Sequence, residues 1–540
     1  MRAPLALLLL TSCGGVAAST PPPRPCPTAE APPPTERAAP AALEITVRAF
    51  EDPAAPLEVT TASLDGAAAW SAREGFEALE ASDAQGPLET VIEGGRVGFE
   101  RAIAPPLHLR YRLPPPGSDD EHRGQGRGRT YFDGGALLLP EGARETSIRV
   151  ALEVGLPGVD RVVSTLDEGP SQTLEAPPEA LRDVVWALGR ADLARFETRD
   201  GFDVVASVGG RRFDTRWVAA ELALLRSDVS TWFGQVSPGA HYTVIVSRPA
   251  IGRAPPFSAA RSGRGLRLVA REDAEWSSEA RLPVAQVLVR RWLAGAFVGD
   301  DGEAEAWLGL GASRWIAQSI LTRMGTLTSE ELARDLTMLE GVVALAEPGE
   351  ATPLERMAHG ALYAAALDAR LRAHGGDEPS FRRVLLPLMR EADDTGAPVP
   401  RTTVVAALQR ILGDAEVTRF EAQALGADPV ELPADAFGPC LRPRTTTHRR
   451  FALGFTAPPM GAETIEVTGV DPSGPAYRAG LRDGMVIRDL RYVPGDAETD
   501  VELEVVETGA RLRFRPSDRS ARGRGWVRVP RLDEDDCFGG

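Results

Sequence analysis

The sequence predicts a multidomain α+β protein in three folded parts, and three observations predict it. At 540 residues the chain is too long for one hydrophobic core. Hydrophobic residues make up 43% of it and charged residues 25%, the balance of a globular rather than a disordered protein. The hydrophobic pattern also changes period twice, from alternation to helical spacing after about residue 156 and back to alternation near residue 438.

Residues 1–12 read as an export signal. Arg2 and the apolar run from Ala3 to Leu10 lead into Leu10-Thr11-Ser12-Cys13, which resembles the bacterial lipobox. The apolar run is too short to span a bilayer. The resemblance implies that Cys13 is lipidated, and two or three acyl chains anchor a protein stably where one is marginal. The expected location is therefore the bacterial cell envelope, exported and lipid-anchored, facing the periplasm or at the outer membrane. Residues 13–42 are a Pro/Ala-rich tether; extended polyproline II lets Thr20 to Ala42 hold a domain up to about 70 Å from a membrane.

Residues 43–156 alternate in short runs (LEITVRAF, RVGFERAI, LHLRYRL, SIRVALEV) broken by Pro, Gly and Asp, the pattern of an N-terminal β-sandwich. Residues 157–437 begin with strand-like FDVVASVGG and HYTVIVSRP. They continue with WVAAELALLRSDVSTWF, PVAQVLVRRWLAGAF, ASRWIAQSILTRM, HGALYAAALDARLRAH and TTVVAALQRIL, whose apolar residues recur at helical spacing. This part is an α+β block that becomes nearly all-helical. Residues 438–540 return to alternation and form a small β-rich module.

Composition excludes several functions. A net charge of −17 with no concentrated basic footprint argues against a nucleic-acid partner. The chain contains no Lys and no Asn, which removes a P-loop lysine, a Schiff base and a Ser-Lys dyad. No Gly-x-Ser-x-Gly elbow occurs. The acidic pairs Asp300-Asp301 and Glu303/Glu305 read as solvated charge in a connection.

Two motifs carry a family resemblance. Ala452-Leu453-Gly454-Phe455 followed by Pro472-Ser473-Gly474-Pro475-Ala476-Tyr477-Arg478-Ala479-Gly480-Leu481-Arg482-Asp483-Gly484 looks like a PDZ domain. A β-domain, a helical block with the rhythm of a zincin and a PDZ-like module, in this order, resemble the glycyl aminopeptidase family of zinc metallopeptidases (peptidase family M-61). The resemblance spans nearly the whole mature chain. It implies a zincin-like (thermolysin-like) central domain and a PDZ-like C-terminal β domain.

That family's chemistry needs His-Glu-x-x-His on one helix face, where two imidazoles bind zinc and the Glu acts as general base on the metal-bound water. A Glu from the next helix, in a Trp-x-x-Glu-Gly setting, completes the ligands. Aligned on Trp292 and Trp307, the stretch VAQVLVRRWLAGAFVGDDGEAEAWLGLG places Gln286 and Arg290 at the two histidines, Val287 at the base and Leu310, before Gly311, at the ligating Glu. Val287 cannot accept a proton, Leu310 has no side-chain lone pair, and a cation at Arg290 repels a divalent metal. No shift of register repairs this, because no histidine lies between His241 and His359.

Supporting positions depart as well. The family's edge strand reads Gly-Leu-Glu-His and helps hold the substrate's amino end; here it corresponds to Gly265-Leu266-Arg267-Leu268. The expected Tyr-Tyr pair of the later helix corresponds to Arg356-Met357-Ala358-His359-Gly360. The six histidines, His108, His122, His241, His359, His374 and His448, have no ligand spacing; they read as surface or structural residues, with a relocated metal site as the alternative. Arg290 either snorkels to the surface or pairs with a carboxylate in the former cavity.

The C-terminal module leaves little room for the second helix of a PDZ groove between RYVPGDAETD and VELEVVETG, so peptide binding at Ala452, Leu453, Gly454 and Phe455 stands beside a purely structural role. Cys440 and Cys537 bracket this module. In an oxidising compartment a disulfide between them would stabilise by about 4–5 kcal/mol on the chain-entropy account, free thiols being the alternative. The expected function is non-catalytic: a metal-free, cofactor-free, metallopeptidase-like envelope lipoprotein that binds or scaffolds a protein or peptide partner, with membrane contact through its lipid. The alternatives are an active aminopeptidase-like hydrolase with a relocated site, and a spacer that only presents the C-terminal module.

Overall fold

The computed structural model describes residues 42–540, except 51, 53–54, 65–66, 74, 117–122, 127–128, 143–145, 155–160, 200, 235–239, 249–255, 298–305, 348–350, 375–379, 426–427, 457–463, 494–495, 531 and 533–540. The lipobox-like Cys13, the tether, His122 and Cys537 all lie outside the described residues. Among those described, no helix is long and apolar enough to cross a membrane.

The N-terminal alternation produces the expected strands. Leu43–Ala49 pairs antiparallel with Leu57–Ser63 and parallel with Thr146–Val154 in a seven-stranded sheet, and turns Leu43, Ile45 and Val47 inward. Two four-stranded sheets share its core, in which Phe132 stacks on Trp186 at 5.4 Å. The pairing runs past residue 156. Ser171–Ala176 joins Thr146–Val154, and Val185–Gly189 joins Arg129–Asp133, so the β region continues to Gly189.

The central sheet has five strands: β1 (Ala191–Thr198), β2 (Gly201–Val208), β3 (His241–Arg248), β4 (Phe257–Ser262) and β5 (Gly265–Arg271). Their spatial order is β1-β2-β3-β5-β4, with β2, β3 and β5 parallel and β1 and β4 the antiparallel edges. Both faces are covered. Val205, Ile245, Leu266 and Leu268 pack with helices α1 (Thr215–Phe233) and α2 (Ser278–Ala296), whereas Ala206, Val244 and Val269 pack on Tyr131, Val163 and Val185 of the β region. Asp214 caps α1 by accepting from the Trp217 amide at 2.9 Å, and Gly234 ends it at φ +65°.

Beyond α2 come a π-helix (Ala306–Ala312) and helices α3 (Ser313–Arg323), α4 (Ser329–Ala344), α5 (Pro353–Ala373), α6 (Ser380–Thr395), α7 (Arg401–Leu412) and α8 (Asp414–Arg419). Thr328/Glu331 and Thr352/Glu355 form reciprocal capping boxes on α4 and α5.

The C-terminal module combines a long ribbon, β6 (Leu441–Phe451) with β11 (Ser517–Arg528), and a sheet of β7 (Ile465–Glu466), β8 (Val486–Arg491), β9 (Val501–Val505) and β10 (Ala510–Phe514). The ribbon docks on α4. The Trp526 amide donates to Thr337 Oγ1 at 2.8 Å, Arg524 Nε to Glu340 Oε1 at 2.6 Å and Arg528 Nε to Ser329 Oγ at 2.8 Å. Among the described residues between β8 and β9 there is no helix.

Candidate functional site

Helix α2 lies on the helical face of the central sheet because Ala285, Leu288, Val289 and Trp292 recur at helical spacing and are buried there. That leaves Gln286, Val287 and Arg290 on the flank that meets the π-helix. Gln286 is 9% exposed, and its Nε2 donates to the Leu310 carbonyl at 2.8 Å. The same carbonyl accepts from Ser313 Oγ at 3.0 Å. The residues aligned above with the first and third zinc ligands are thus bonded to each other. Val287 packs against the core, Leu310 is half-buried, and Arg290 is half-buried and engaged in an interaction of its own.

The scaffold under this flank is tight. Trp307 stands edge-on to Tyr363 at 5.8 Å and to Phe420 at 5.2 Å, and Trp292 stacks on Phe233 at 6.0 Å. The π-helix crosses α5 at Gly311 and Gly360; a Cβ on Gly311 would lie 2.4 Å from the Gly360 carbonyl carbon, so only glycine lets the backbones approach this closely. Beneath it, Glu416 is wholly buried and accepts from Tyr363 Oη at 2.9 Å and from Arg370 Nε and Nη2 at 3.0 and 2.6 Å.

Arg267 requires a correction. The strand that carries it, β5, is not an edge strand: it lies between β3 and β4. Leu266 and Leu268 face α2, so Arg267 points the other way, with Val269, into the β region. There its Nη1 meets Asp133 Oδ2 at 3.1 Å, both side chains being largely buried. The edge strand beside β5 is β4, and the residue it presents to the α2 side is Arg261, the register partner of Leu266. Sequence comparison missed Arg261, Asp133 and Ser313.

Of the described histidines, His108 and His374 are exposed. His359 Nε2 lies 3.0 Å from the Asp428 carbonyl, and His448 Nε2 lies 2.9 Å from the Arg524 carbonyl. His241 is buried with Nδ1 3.5 Å from Asp203, which also accepts from Arg226 Nε and Nη2 at 3.0 and 2.8 Å. Burial holds the imidazoles of His241 and His359 below the usual histidine value; the Asp203 carboxylate opposes this at His241 and the Asp428 carbonyl at His359. Among the described residues no group of three or more His, Cys, Asp and Glu is placed to hold a metal.

In the C-terminal module Leu453 and Phe455 are core residues, and Gly454, at φ +78°, accepts from the Asp471 amide at 2.9 Å. Among the described residues nothing accepts from the amides of Leu453, Gly454 and Phe455, whereas the Ala452 amide donates to the Pro516 carbonyl. The segment that follows, 457–463, lies outside the described residues. Cys440 is buried and disulfide-bonded, and its partner lies outside the described residues.

No family model and no characterised protein sequence matches this chain. Solved structures do. An aminopeptidase N family protein of Idiomarina loihiensis superposes with a TM-score of 0.66 over 92% of this chain and 99% of its own, at 15% identity. An M1 zinc metallopeptidase of Deinococcus radiodurans gives 0.48 over 72% and 94% at 14% identity. Legionella pneumophila aminopeptidase A gives 0.45 over 89% and 58% at 10% identity. At 15% identity the first likeness is one of fold, and the chain accordingly has a multidomain α+β, zinc metallopeptidase-like fold.

Proposed function

We propose that this protein is a non-catalytic member of the zinc-metallopeptidase-like fold, related to the glycyl aminopeptidases (M-61), that binds a peptide or protein partner in the bacterial cell envelope. One observation carries the reading: Gln286, at the first histidine position, spends its amide on the backbone of Leu310, at the third-ligand position. With Val287 in place of the base, the flank offers neither a metal-bound water nor a proton acceptor. The three amides at Leu453–Phe455, which meet no acceptor among the described residues, support a second contact, since consecutive backbone N–H groups form a nest suited to a peptide carboxylate in a PDZ-like module. Export and lipid attachment at Cys13, and a disulfide joining Cys440 to Cys537, belong to the same proposal.

Metal analysis of the purified protein, paired with hydrolysis of short unblocked peptides with and without chelator, tests it. The expected result is substoichiometric zinc and no chelator-sensitive cleavage. Stoichiometric zinc with cleavage abolished by chelator would overturn the reading and favour an active hydrolase.

A further inference from the structure

Two cations beside the α2 flank, Arg261 and Arg291, have no acid partner among the described residues. Arg261 on the edge strand β4 is exposed and shares the α2-facing side with Leu266. Arg291, half-buried on α2, reaches only the Arg264 carbonyl, at 3.4 Å. Burial, and next the neighbouring Arg261 and Arg226, hold the Arg291 guanidinium below its usual range, so these cations lie within electrostatic reach of one another. Among the described residues neither Arg261 nor Arg291 has a carboxylate within ion-pair distance. Of the acids at this end of the sheet, Asp203 is committed to Arg226 at 2.8 Å and Glu168 to Arg195 at 2.6 Å, while Asp167 accepts from Tyr242 Oη at 3.2 Å.

Two guanidiniums that repel each other across a strand and a helix are unfavourable in a partly desolvated place unless an anion completes the site. Each guanidinium offers several planar donors of the kind that hold a carboxylate or phosphate. We propose that the flank of α2 beside the edge strand is an oxyanion site, in which Arg261 and Arg291 together hold a peptide carboxylate or a phosphate group. The flank therefore selects for negative charge, the opposite of a subsite that holds a substrate's amino group. This deepens the non-catalytic reading above and rests on it.

The test is isothermal titration of the full chain with hexaglutamate, with inorganic phosphate and with neutral hexaserine. Saturable binding of hexaglutamate, of phosphate or of both is expected, with none for hexaserine; phosphate that binds and displaces the peptide identifies a phosphate group as sufficient, and peptide binding alone identifies the carboxylates. Arg261→Gln and the double variant with Arg291→Gln should weaken that binding by about tenfold or more. The melting temperature of both variants should hold, because the exchange removes a repulsion and gives up only one long, exposed hydrogen bond to the Arg264 carbonyl. Arg511→Gln with Arg513→Gln, in the distant β10, should leave binding unchanged.

Absence of binding by both anions, equal binding of hexaserine, unchanged affinity in Arg261→Gln and the double variant, or loss only in the β10 variant would each overturn the oxyanion site. Zinc and chelator-sensitive hydrolysis are measured on the same preparation. A metal-free, inactive protein that binds neither anion refutes this site alone, whereas a zinc-loaded hydrolase refutes the non-catalytic reading.

Discussion

Glu416→Gln should destabilise the helical part by about 3 kcal/mol, the lower end of the cost of breaking a buried ion pair. Glu416 has no exposed side-chain area and receives three hydrogen bonds, from Tyr363 Oη and from the Arg370 fork, with Arg419 Nη1 a further 3.4 Å away. Glutamine keeps one acceptor oxygen and turns an amide toward the guanidinium, so the fork loses one arm and the carboxylate charge disappears. Arg370 retains 18% side-chain exposure and some hydration, which is why the lower end applies. For a domain of this size the loss corresponds to a melting shift of roughly 6–12 °C. Urea unfolding followed by tryptophan fluorescence is the assay, since Trp307 lies against Tyr363. The double change Glu416→Leu with Arg370→Met should recover most of the loss, because an apolar pair leaves no buried charge behind. A Glu416→Gln variant within 1 kcal/mol of the parent, or a double variant no better than the single one, would refute the reasoning.

Gly311→Ala should destabilise by about 1–3 kcal/mol or more, because its Cβ meets the Gly360 backbone rather than a side chain that can move; a variant that melts with the parent contradicts the close crossing. Stability should also fall on mild acidification. Burial holds His241 and His359 below the ordinary value of 6.5, so on acidification the unfolded chain takes up protons before the native one does. Urea midpoints should be level above about pH 7 and decline from about pH 6.5 to 5.5, and His241→Gln with His359→Gln should flatten that slope. An unchanged slope in the double variant would remove these two residues as its source.

The succession of β, α+β and β parts was legible in the sequence because the period of the hydrophobic pattern marks it. Orientation was not. The parity of β5 puts Arg267 and Val269 on one face, but Leu266, Leu268, Val269 and Ala270 are all apolar because the sheet is covered on both sides. No polar face marks the solvent side, so nothing local says which parity looks toward α2. Likewise Gln286 spends its amide on a backbone carbonyl 24 residues away, and Glu416 finds Tyr363 and Arg370 on α5, pairings that only the packed fold sets.

The scaffold and the flank therefore speak to different questions. Trp307, Gly311, Gly360 and the Glu416 network are held by packing that any loss of close contact would penalise, so their presence reports only that the fold is intact. Gln286 and Val287 likewise satisfy local hydrogen bonding and packing. Arg261 is exposed, and Arg291 reaches only the Arg264 carbonyl, at 3.4 Å. They add nothing to the core and oppose each other, so they are the part of the flank that folding alone does not account for. A bound anion supplies the missing favourable interaction.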